Sequence, residues 1–141
     1  MSKSDAFETD YLKLIFNGTS IANLADNTAT SPATTLTVAL HTSDPGEGGN
    51  QTSNEISYTG YARVAVARTS GGWTVTGNSV SPVATITFGQ MTGGAGGTVT
   101  HASVGTGVSN YMIYSGTLTP NILVQTGVNP QIPTSSTIIE D

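Results

Sequence analysis

The chain has 141 residues, of which 9% are charged: four basic and nine acidic side chains, a net charge of -5, and no cysteine. A soluble domain ordinarily carries about 25% charge. Four dispersed cations cannot neutralise a phosphate backbone, which excludes nucleic acid as a partner. The missing cysteines exclude thiol catalysis, zinc–thiolate sites and a disulfide framework. The length fits one domain able to bury roughly two thirds of its unfolded surface.

At the N-terminus, Met1-Ser2-Lys3-Ser4-Asp5 shows no apolar h-region and no small-residue cleavage site. No apolar run reaches the roughly 20 residues that span a bilayer. A soluble product made in the host cytoplasm, with no membrane partner, is expected. Asp5 and Glu8 are spaced as a capping box, and Phe7, Tyr11, Leu14 and Ile15 recur at helical spacing up to the stop signal Asn17-Gly18. This predicts an amphipathic helix over 5–16. Its stripe either packs on its own domain or docks on a neighbouring subunit as an arm comprising 1–18. Ile21, Leu24 and Ala25 suit a short turn or a strand, and 27–34 reads as a loop.

From residue 35 the period changes to two. Leu36, Val38 and Leu40 alternate with Thr35, Thr37 and Ala39, predicting a half-buried strand over 35–42. A long surface loop from Asp44-Pro45-Gly46 reaches about Ser57. Strand-like runs follow at 61–67, 73–76, 83–88, 99–105, 111–118, 122–126 and 131–139, with Gly71-Gly72 read as a hairpin turn between the first two of these. About eight short strands bounded by Gly, Pro or Asn predict an all-β, jelly-roll-like β-sandwich over 19–141 with a short N-terminal helix. The abundant threonines suit a pleated, half-exposed surface.

Candidate chemistry is sparse. His41 and His101 could join Asp44, Glu47 or Glu55 in a metal or acid–base site, but no ligand spacing supports it, and a strand histidine bonded to a backbone carbonyl is the simpler reading. The serine-bearing segments lack the flanking glycines of a nucleophile elbow. Gly93-Gly94-Ala95-Gly96-Gly97 lacks the lysine and hydroxyl of a phosphate loop and reads as a β–β connection. No enzyme, cofactor or metal is expected. Arg63 and Arg68 carry weight because cations are so scarce; each could pair with a carboxylate of its own chain or of a partner. Trp73 could stack on a sugar, alone or with Tyr58, Tyr61 or Tyr111, or cap the end of a core.

Three longer stretches carry a resemblance: Leu14-Ile15-Phe16-Asn17-Gly18-Thr19, Ala39-Leu40-His41-Thr42-Ser43-Asp44-Pro45-Gly46-Glu47 and Tyr58-Thr59-Gly60-Tyr61-Ala62-Arg63-Val64-Ala65-Val66. Val99-Thr100-His101-Ala102-Ser103-Val104-Gly105 and Leu118-Thr119-Pro120-Asn121-Ile122 add to it. Together, from about Leu12 to Glu140, the chain resembles a family of small tailed-phage virion proteins, often called tail fibre proteins. Its most specific mark is Leu-His-Thr-x-Asp-Pro-Gly followed by Tyr-x-Arg-x-x-Val. Some members resemble capsid cement (decoration) proteins, jelly-roll subunits worn outside the shell as homo-oligomers, and the family brings no catalytic residues. The resemblance therefore implies a decoration protein on the capsid surface that stabilises the phage head non-covalently. Its implied partners are the major capsid protein and further copies of itself, as a homodimer or homotrimer. The other role it implies is a tail-associated adaptor or receptor-binding protein recognising a host glycan. Expected contacts between subunits or with the capsid are Phe7, Tyr11, Asp44, Glu47, Arg63, Arg68 and Trp73, with the helix 5–16 and the loop 43–57 as the contacting segments.

Overall fold

A computed structural model describes residues 5–20 and 32–140, apart from the side chains of Asp5 and Phe7. The Asp5 cap, the Phe7 contact, the turn or strand around Ile21, Leu24 and Ala25, and most of the loop over 27–34 lie outside the described residues. Among those residues the chain forms one helix and nine strands in three sheets, the all-β class with a short N-terminal helix that the alternating runs predict. Two compact units emerge. One comprises 1–35, 67–86 and 132–141, and the other 36–66 and 87–131.

In the first unit, helix α1 (Asp5–Asn17) lies with strands β3 (Trp73–Thr76), β4 (Ser79–Pro82) and β9 (Ile138–Ile139), in sheet order β3-β4-β9. Gly18 at φ +65° closes the helix, where Thr19 N–H reaches Lys13 O at 3.1 Å. Leu12 and Phe16, one turn apart, are fully buried, and Phe16 meets Trp73 edge-to-face with ring centroids 4.9 Å apart. The expected stripe residues Tyr11, Leu14 and Ile15 are only half-buried; it is Leu12 and Phe16 that pack within their own unit. Burying such a pair is worth about 1.5–3 kcal/mol per side chain. The 3–4 hairpin turns on Gly77-Asn78, with Thr76 opposite Ser79 and Gly77 at φ +59°, a conformation open to glycine in a two-residue turn.

That hairpin corrects the sequence reading. The Gly71-Gly72 turn exists, with Gly72 N–H bonded to Thr69 O, but it does not join paired strands. Strand β2 (Val64–Ala67) pairs with β1 (Thr35–His41) instead, and β3 pairs with β4. Strand β4 was hidden because Ser79-Val80-Ser81-Pro82 offers one large apolar residue and a proline.

The second unit is built on a four-stranded sheet in the order β2-β1-β6-β7, with β6 at Gly97–Gly105 and β7 at Met112–Val124. Strands β1 and β6 run antiparallel with Thr37 opposite Gly105 and His41 opposite His101. Leu36, Val38, Leu40 and Val104 are buried, as are Phe88, Met91 and Val99. The runs expected at 111–118 and 122–126 form a single strand, β7. It is interrupted where register jumps from Val99↔Ile122 to His101↔Thr117. The interruption holds Pro120, which has no N–H, so this uncharged edge strand is blunted against adding another strand. The run over 131–139 is split into β8 (Gln131–Ile132) and β9 around Pro133, whose carbonyl accepts from Ser136 N–H in a turn. Strand β8 pairs with β5 (Ile86–Thr87), all that forms of the run over 83–88.

Candidate functional site

The two arginines are placed first, because they are half of the chain's positive charge. Arg68 follows β2 and points its guanidinium at the last turn of α1. Its Nε donates to Ile15 O at 2.6 Å, its Nη1 to Ala33 O at 3.2 Å and its Nη2 to Leu14 O. Leu14 and Ile15 lie in the last turn of α1, where carbonyls run short of intrahelical donors and a cation also complements the macrodipole. Among the described residues these bonds go to backbone carbonyls and not to a carboxylate.

Arg63 immediately precedes β2 and does find a carboxylate. Its Nε and Nη2 form a two-pronged bridge to Glu55 Oε1 and Oε2, each 2.7 Å, and its Nη1 donates to Asn110 Oδ1 at 2.8 Å. Tyr61 Oη donates to Glu55 Oε1 at 2.8 Å and accepts from Leu40 N–H at 3.1 Å. The side-chain bond from Glu55 raises the Arg63 pKa, and burial drives the Tyr61 phenol far above its ordinary range. Tyr61 also stacks on Phe88, with planes 8° apart, and Tyr58 is buried with its hydroxyl on Gly89 O.

A second network lies under the loop that follows β1. His41 is 0% exposed, and its Nδ1 faces Ser53 O at 2.8 Å. A carbonyl only accepts, so Nδ1 carries the proton and Nε2 accepts from Ser103 Oγ at 2.7 Å. Buried Gln51 donates through Nε2 to Thr37 O at 2.9 Å, and its Oε1 accepts from Thr37 Oγ1 at 2.8 Å. A side chain at Gly105 would meet Gln51 Oε1 at 2.5 Å, so glycine there makes room for the amide. A serine bonded to a histidine is the arrangement of a nucleophile and its base. Here both are sealed from solvent, and the third member is a backbone carbonyl.

Burial lowers the His41 pKa below 6.5, outweighing the Ser53 carbonyl and Glu55, which raise it; Arg63 and His101 lower it further. The unfolded chain therefore binds the proton more readily than the folded one. Stability is complete above about pH 6.5 and declines as pH falls from there towards the depressed folded value. A melting series from pH 7.5 to 5.5 should show this slope, absent in His41→Gln. An unchanged slope in His41→Gln would assign it to other groups.

The two networks meet at the β6–β7 turn. Gln51 N–H donates to Asn110 O at 3.0 Å, while Arg63 holds the Asn110 side chain. Tyr111 N–H returns to Val108 O at 3.0 Å, with Ser109 at φ 52° and Asn110 at φ 58°. Two successive left-handed residues define a type I′ turn, normally built with glycine. Holding a serine there costs on the order of 1 kcal/mol or more, which surrounding bonds must offset. At this braced turn Val108 is 67% and Tyr111 64% exposed.

The remaining expected contacts are scattered. Asp44 and Glu47 are exposed, Asp44 accepting from Gly46 N–H in a local turn at 2.8 Å. Tyr11 is half-buried on α1, and Trp73, 2% exposed, is core. A sugar cannot stack on it, and of the four aromatic candidates Tyr111 alone is exposed. Glu55, Gln51, Ser103 and Asn110 organise the unit; the sequence marked Glu55 only as a possible metal or acid–base residue and Gln51 only as part of the 43–57 loop, and Gly105, which admits Gln51, was the one local signal. From 69 to 139 the chain holds no Lys, Arg, Asp or Glu, and the five exposed large apolar side chains among the described residues (Val83, Val108, Tyr111, Leu123 and Ile139) all fall in that half.

A family model described as Podophage GP4 fiber I protein gp80 matches residues 2–140. No curated protein matches the chain.

Proposed function

The chain belongs to the family of the podophage GP4 fiber I protein gp80, and from that membership we propose that it is a non-catalytic structural subunit of a tailed-phage particle, carried on its outside as a fibre component. Membership makes it a structural protein of a phage virion. The observation that carries the finer reading is the match to a fibre protein along nearly the whole chain. The sealed Ser103–His41 pair and the arginines turned inward on their own chain agree with a scaffold rather than an enzyme.

A second reading, decoration of the capsid, has its own support. An uncharged half of the sequence can be covered by other subunits with little desolvation penalty, and hydroxyl-rich strands can bond across a seam directly or through water. Quantitative mass spectrometry of purified virions separates the two. A fibre component should appear in a small multiple of the tail's symmetry and be labelled by antibody at the tail. Hundreds of copies per particle, with label around the head, would replace the fibre reading by capsid decoration. Absence from purified virions would remove both.

A further inference from the structure

We infer that the β6–β7 hairpin of the second unit, led by Val108 and Tyr111, is a preformed surface through which the chain binds a second copy of itself. Three observations converge on it. The turn is held in a left-handed conformation by bonds from Gln51 and Arg63, so the conformation is set before any partner arrives. It displays two large apolar side chains to solvent, one of them a tyrosine, a residue enriched among binding hot spots. Neither β6, β7 nor the turn between them carries a charged residue.

Charge selects the occupant. A partner that covered the hairpin with charged groups would strip their water and find no counter-ion. The complementary surface must be uncharged, and this chain provides one. Copies carrying -5 each repel, and the exposed Asp44 and Glu47 make the 43–57 loop a poor place for two copies to meet. The hairpin lets them meet without like-charge opposition. Because Pro120 and the register break blunt the outer edge of β7, the contact is made by side chains rather than by strand addition.

Sedimentation velocity of the purified full chain over a concentration series tests the inference on the protein alone, so it can fail while the virion location stands, and the reverse. The wild type should self-associate, equally or more strongly as salt screens the net charge. Val108→Ser with Tyr111→Ser should weaken association at least tenfold with an unchanged melting curve, since both positions are exposed. Should that pair melt early, Tyr111→Glu alone keeps the test, placing like charges at the seam. Val83→Ser with Ile139→Ser, exposed in the first unit, should leave association intact. A wild type that stays monomeric throughout, or association that survives the hairpin variants, overturns the inference.

Discussion

Trp73→Ala is expected to destabilise the first unit by about 3–5 kcal/mol, the range for deleting a large buried aromatic ring. Natural domains keep only about 5–15 kcal/mol in reserve, so much of the population should unfold at modest urea. The loss has identifiable parts. The indole is 2% exposed and packs against Phe16, which is itself fully buried at the end of α1. Truncation leaves a cavity beneath the helix that Phe16 cannot fill without leaving its own site. Trp73→Phe should cost far less, about 1–2 kcal/mol. The Trp73 Nε1–H is buried without a partner, so phenylalanine removes an unsatisfied donor along with the ring area. Chemical denaturation followed by circular dichroism measures both variants. Trp73 is the chain's one tryptophan, so its emission in the wild type should be blue-shifted and poorly quenched by acrylamide. Efficient quenching, or a Trp73→Ala protein as stable as wild type, would return Trp73 to the surface and revive a sugar-stacking role.

The same packing bears on the helix. Removing residues 1–16 deletes Leu12 and Phe16, both core, so the truncated chain should lose stability rather than only an attachment arm. The sequence pattern marked the helix to within a residue at its end but placed Phe7, Tyr11, Leu14 and Ile15 on the stripe. Leu12 and Phe16 take the buried positions because the helix meets β3, and that contact depends on Trp73, more than fifty residues away.

Strands were legible where large apolar residues alternate, as Leu36, Val38 and Leu40 do in β1. They were illegible where pairing rather than pattern makes the strand. Ser79–Pro82 is a strand because Trp73 to Thr76 lies opposite it, and no local property of four such residues announces that. Scarcity singled out Arg63 and Arg68, and the fold holds both through bonds within the chain. Scarcity could not give their partners. Glu55 was assigned to a loop, yet its backbone bridges to His41 and its carboxylate sits on Arg63. Asn110 and Gln51 are uncharged and unpatterned, and acquire meaning only when β6 and β7 bring the turn beside the loop.

Arg63→Ala is expected to have the second large effect, about 2–4 kcal/mol. Breaking a fully buried ion pair from one side costs about 3–5 kcal/mol. Here the side chains are 19% and 16% exposed, which lets water soften the loss. Glu55 would keep only Tyr61 as a donor among the bonds described above, and Asn110 would lose the bond that fixes its side chain. Arg63→Lys should recover less than half, because an ammonium cannot reproduce the planar fork that meets both carboxylate oxygens. In a double-mutant cycle with Glu55→Gln, the two losses should be strongly sub-additive, with a coupling of about 1 kcal/mol or more. Changes within about 0.5 kcal/mol, the level of an ordinary surface substitution, would make the bridge incidental. The consequence extends to the exposed turn. Arg63 sits behind Asn110, so Arg63→Lys, if still folded, should weaken self-association by loosening the platform under Val108 and Tyr111. Association unchanged in a destabilised Arg63→Lys would show that Gln51 and the turn's own bonds suffice to hold that surface.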